Sequence, residues 1–248
     1  MAGVKVLARG IAADETIAAE RDFFRIGAIS IIVGTLVGLV AASFHGGSHP
    51  SDLEAALPEY AANKYWELVH LSQFLGELLV LFGFAALCRS MTEAASANLA
   101  RLGMIVAIVA QAVYACNQAV DGVAIKFVAQ TWVNAPLAEK ADALRLADVV
   151  RHIEIGTSSL WVLTRGTVQV LFGVAILLGQ SYPKLLGWVG IVIGAGLIAG
   201  AFDLALNGFA FAGILGVIGM AASSLSGLWI IVTAFILWRK SAVGAIGL

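Results

Sequence analysis

Apolar residues run through this chain in long, nearly unbroken blocks, without the alternation of a half-buried strand. Six blocks are long enough to cross a hydrocarbon layer, which takes about 20 apolar residues. They cover roughly 24–44, 66–88, 101–122, 157–179, 185–207 and 210–238. The last is overlong and carries Ser223, Ser224, Ser226 and Gly227 at its middle, so a tilt or kink is expected there. The pattern predicts an all-α integral membrane protein, a bundle of six transmembrane helices. Residues 1–23 read as a polar amphipathic segment without a signal-peptide cleavage site, 24–240 as the membrane domain and 241–248 as a tail.

Two polar stretches interrupt the blocks. The first, 45–65, opens with HGGSHP (His45 to Pro50), which reads as the hinge of a lid. The second, 123–156, contains Asn134-Ala135-Pro136, a helix-start signal. Beyond it Leu146, Val149, Val150 and Ile153 recur at helical spacing against Glu139, Asp142, Arg145 and Asp148. That predicts an amphipathic helix over 137–153, either lying at the membrane surface or forming the lower part of a long fourth helix.

Composition agrees with a bilayer setting. The 248 residues are 60% hydrophobic and 12% charged, with a mean hydropathy of +0.92, whereas soluble domains run near a quarter charged. A net charge of -1 leaves no basic footprint for nucleic acid. The expected partner is the lipid bilayer, and glycine-rich faces on spans 5 and 6 also suit a homo-oligomer or a larger membrane complex. Counting Lys and Arg near span ends, Lys5, Arg9, Arg21, Arg25, Arg89, Arg101, Lys184, Arg239 and Lys240 fall on the N-terminal side. Lys64, Lys126, Lys140, Arg145 and Arg151 fall on the other. The bias predicts cytoplasmic N- and C-termini in a bacterial inner membrane. Cys88 and Cys116 lie too far apart along their helices to bridge.

An internal repeat adds depth information. Residues 76–87, GELLVLFGFAAL, match 166–177, GTVQVLFGVAIL, at seven of twelve positions. Spans 2–3 and 4–5 therefore read as two copies of one helical hairpin.

An ionisable group within a span is costly unless paired or hydrated. The candidates are Glu77, Asp121, Arg165 and Asp203. The repeat puts Glu77 and Arg165 within about 3 Å of the same depth, which predicts an ion pair. With His70, Gln73, Asn117, Gln118 and Asn207 in the same halves of their spans, these residues outline a polar pocket opening outward. The predicted ligand set is His70, Gln73, Glu77, Asn117, Asp121, Arg165 and Asp203. If chemistry occurs there, His70 or Glu77 is the proton-transfer candidate.

All four histidines, His45, His49, His70 and His152, fall on or near the outer face. Zinc or copper could use them with an acid such as Asp52, Glu67 or Glu154. Haem fits less well, because His152 lies about 12 Å outward of the level facing His70. The leading function is thus binding of a small ligand, metal or other cofactor, with the reaction open. A proton-coupled transporter using Glu77, Asp121 and Asp203 is one alternative, and an accessory subunit of a larger complex is another.

His49-Pro50, Trp66-x-x-x-His70, Gly83-x-x-x-Leu87 and Val120-Asp121-Gly122 together resemble a group of uncharacterised six-span bacterial inner-membrane proteins, known as a domain of unknown function. The resemblance spans about residues 24–207. It implies the topology and supplies no catalytic residues.

Overall fold

The computed structural model describes residues 2–46, 50–211 and 213–243, with side chains over 15–46, 50–211 and 213–241. His49 lies outside the described residues. Of the described residues, 90% are helical. Eight helices follow in order: α1 (Ala2–Ala42), α2 (Leu53–Ala62), α3 (Trp66–Arg89), α4 (Ala94–Ala119), α5 (Ile125–Asn134), α6 (Lys140–Leu178), α7 (Lys184–Asn207) and α8 (Gly213–Val243). Six helical segments are long and apolar enough to cross a membrane, matching the six predicted blocks.

Two boundaries differ from the sequence reading. Span 3 does not end at Gly122. A π turn over Val120–Ala124 carries α4 straight into α5, and the two run as one segment over Ala94–Asn134. Glycine signals a stop only where the next turn can leave the helix, and here Ile125, Val128 and Ala129 are buried. The stretch 137–153 is likewise no separate surface helix, since α6 runs unbroken from Lys140 to Leu178. The lower-part reading is the one adopted.

The six long helices form a ring in the order α1, α3, α4, α6, α7, α8 and back to α1. At one end α2, α5 and the start of α6 pack together as a cap, around the fully buried Leu57 and Trp66. Trp66 is therefore a core residue and not part of an interfacial belt, whereas Trp188 and Trp238 are exposed. Asp52 caps α2 by accepting from the Ala55 amide at 3.1 Å. At its other end Lys126 Nζ donates to the carbonyls of Tyr60, Ala61 and Asn63 at 2.9, 3.0 and 2.7 Å. An ammonium there satisfies carbonyls that the helix itself leaves open.

The opposite end of the ring is tied shut. Arg89 pairs with Glu20, Ser90 hydrogen-bonds Tyr182, and Lys240 Nζ donates to the Ser90 carbonyl at 3.2 Å. Burial pushes the Tyr182 hydroxyl up to about 12, so it stays a neutral hydrogen-bonding group.

Close backbone approach sets the helix pairs. A Cβ at Gly76 would stand 2.7 Å from the Gly34 carbonyl oxygen, and one at Gly194 would stand 2.7 Å from that of Gly166. Small residues let helices approach where lipid offers no hydrophobic drive to associate. These contacts do not follow the hairpin repeat. The α3 glycines face α1, whereas their α6 counterparts face α7, because a shared VLFG face fixes a smooth surface and not its partner. Gly194→Val is expected to lower stability by about 1–3 kcal/mol through overpacking. Gly156→Ala, where an added Cβ meets nothing within 4 Å, is expected to be neutral or to stabilise by about 0.5–1 kcal/mol. Thermal unfolding in detergent micelles reads both.

Candidate functional site

The ring encloses a cavity of about 620 Å³, with walls from all six long helices. At its capped end three groups converge, His45 and Asp121 on the cavity wall and His70 buried beside them. His45 comes from the chain leaving α1, His70 from the second turn of α3, and Asp121 from the π turn after α4. One ligand atom from each lies within 4.8 Å of the others, and this is the one such His/Asp cluster among the described residues.

Each element aims its side chain for a local reason. Gly46 takes φ +108°, a turn closed to side chains, and an added Cβ would stand 2.2 Å from Glu59 Oε1. That sharp exit folds His45 back against Trp66 and His70, with ring centroids 4.7 and 5.1 Å away. The π turn widens the helix by one residue and turns Asp121 toward His70. Trp66 Nε1 donates to the Asp121 carbonyl at 2.8 Å, holding the turn in place. Gly122 then admits α3, since a Cβ there would lie 2.5 Å from His70 Cβ.

One hydrogen bond of His70 places a proton on Nδ1. Nδ1 lies 2.7 Å from the Trp66 carbonyl oxygen, which can only accept, so Nδ1 carries hydrogen. Nε2 is turned toward Asp121 Oδ2 at 3.1 Å, yet it makes no hydrogen bond of acceptable geometry. His70 is 1% exposed. A buried imidazole nitrogen facing a carboxylate takes a cation between them, a proton or a metal ion. Burial holds the His45 imidazole below its ordinary range, with Asp121 pulling the other way, so it tends to the neutral form that ligates.

A buried ion pair flanks this cluster. Arg151 Nη1 donates to both carboxylate oxygens of Glu154 at 2.8 and 2.7 Å, and Nη2 donates to the Tyr60 hydroxyl at 3.2 Å. Burial raises the Tyr60 hydroxyl above its ordinary range. Deeper in the cavity Glu77 and Arg165 stand 3.8 Å apart, and Arg165 lies over the Trp161 ring.

Gln73, Glu77, Asn117, Gln118, Asp121 and Arg165 all reach the cavity wall. Asp203 does not. It is buried near the start of α8, where it accepts from Asn207 Nδ2 at 2.8 Å. His152 also stands apart, exposed on α6 with its Nδ1 2.9 Å from the Asp148 carbonyl of its own helix. The acid beside the histidines is Asp121, and not Asp52, Glu67 or Glu154. Arg151 and Lys126 lie in a stretch that reads as loop in the sequence, yet both are buried. The i, i+3 spacing of Arg151 and Glu154 was the available signal for the pair.

No protein-family model, curated protein or solved structure matches the chain. The resemblance noted above rests on its short motifs alone.

Proposed function

We propose that the chain is a multi-pass membrane metalloprotein, binding a divalent first-row metal through His45, His70 and Asp121 at the capped end of its cavity. Zinc is the first choice, since two neutral imidazoles and one carboxylate match its borderline-soft preference. The observation that carries this reading is His70 itself. Its Nδ1–H is anchored on a backbone carbonyl, the outer-shell arrangement usual for metal-bound histidine, while its buried Nε2 makes no hydrogen bond and faces the Asp121 carboxylate at 3.1 Å.

Three protein ligands leave a further position for water or substrate, as catalytic sites do and closed structural sites do not. Glu77 and Arg165 stand deeper in the same cavity, where they can hold a polar group of a bound molecule. By the Lys/Arg bias this site opens on the extracytoplasmic side of a bacterial inner membrane, with both termini in the cytoplasm. The interactions closing the far end favour a one-sided site over a transporter relay.

The test is zinc retained after loading and gel filtration. The wild-type protein is expected to keep one equivalent per chain, and His45→Ala, His70→Ala and Asp121→Asn to keep little. Equal retention by His70→Ala would overturn the assignment.

A further inference from the structure

The exposed residues that line the cavity include Leu39 and Ala42 on α1 and Met220, Ser223 and Ser224 on the neighbouring α8. α1 leans on α3 along the cavity, through Gly34 and Gly76, and α8 leans on α7 through Gly200 and Gly219, where a Cβ on either would stand 2.5 Å from the other's Cα. Nearer the closed end, α1 and α8 share one buried cluster that includes Ala28, Ile31, Ile230 and Ala234. Toward the cap both helices face open space. Gly38 of α1 and Gly227 of α8 both line the cavity, yet a Cβ on either would meet nothing within 4 Å. Most glycines along the spans are instead packed against a neighbour.

The rim of this gap is apolar or small. Leu39 and Met220 line the cavity while 61% and 46% exposed, and Ser223 and Ser224 line it from the exposed face of α8. In a six-span ring the exposed face of such a seam meets lipid, not water. The cavity behind it carries its charged groups at the capped end and midway, with Val80 and Ile230 on its apolar wall. At about 620 Å³ it falls within the 300–1,000 Å³ range usual for small-molecule sites.

From this geometry we infer that the α1–α8 seam is a lateral portal, through which a membrane lipid places one acyl chain in the cavity with its polar head at the His45–Asp121–Arg151 end. The gap supplies the route and the apolar wall the surface for the chain. The polar cluster satisfies the head group, which the hydrocarbon layer would not. The inference uses the same cavity as the metal reading, yet the portal itself involves none of the three proposed ligands.

The test reconstitutes the full chain in phosphatidylcholine vesicles containing phosphatidylcholine with a diazirine near the end of one acyl chain, then maps labelled residues after illumination. Labelling is expected at the rim residues Leu39 and Met220 and at the interior residues Val80 and Ile230. Gly38→Leu and Gly227→Leu fill open space without backbone collision, so they are expected to fold as wild type and to lose the interior labels while keeping those on the rim. Interior positions that stay unlabelled in wild type would overturn the portal, as would interior labels that persist in the filled double variant. His70→Ala is expected to retain interior labelling while losing zinc. Zinc retention by His70→Ala would fail the metal reading alone, and an unlabelled interior with wild-type zinc binding would fail the portal alone.

Discussion

Glu154→Ala is expected to lower the stability of the protein by about 3–5 kcal/mol, the usual cost of removing one partner from a buried ion pair. Arg151 and Glu154 are 5% and 3% exposed, and they sit one turn apart on α6. Without the carboxylate, the guanidinium keeps only the Tyr60 hydroxyl and the faces of Tyr60 and Phe209, each about 5.5 Å from its centre. Those contacts do not offset the desolvation of a full charge. The double variant Arg151→Met/Glu154→Leu is expected to recover most of the loss, because it removes both charges and keeps the volume. Unfolding in detergent micelles measures the pair. A loss under about 1 kcal/mol for Glu154→Ala would mean that cavity water already hydrates Arg151, and that the pair behaves like a surface one.

Gly122→Val is expected to weaken zinc binding by about 100-fold or more, the upper range for changes just outside a metal's ligands. The substitution replaces none of the proposed ligands. A Cβ at Gly122 would stand 2.5 Å from His70 Cβ, and both atoms belong to helices that cannot swing aside cheaply. The π turn and α3 must separate, which draws Asp121 Oδ2 away from its place 3.1 Å from His70 Nε2. Val123→Leu, on the same turn at a 56% exposed position, is the control and is expected to bind zinc as wild type. Zinc titration of both variants reads the difference. Wild-type affinity in Gly122→Val would detach the close helix approach from the site.

The spans were legible because hydropathy is a one-dimensional signal: a block of apolar residues has to lie in lipid whatever its neighbours do. The approach of Glu77 and Arg165 was legible for a related reason, since two opposite charges within spans are each costly unless paired. The convergence of His45, His70 and Asp121 was legible only in parts. Each residue stood out, but their meeting depends on the Gly46 turn, the π turn at Val120–Ala124 and the Gly122 contact. A π turn shifts one residue by part of a turn and leaves no periodic trace in the sequence. Arg151 and Lys126 were hidden by the opposite effect. Their polar neighbourhood read as loop, whereas the cap buries Arg151 against Glu154 and Lys126 against three backbone carbonyls. HGGSHP changed meaning in the same way, for His45 meets its partners on α3 and the π turn.

X-ray absorption at the zinc edge of the loaded, full-length protein tests the central claim most directly. The account predicts a first shell of nitrogen and oxygen at about 2.0–2.2 Å, with the outer-shell scattering of two imidazoles, and loss of one imidazole in His45→Ala. A sulfur shell near 2.3 Å, or a shell with no imidazole scattering, would contradict it.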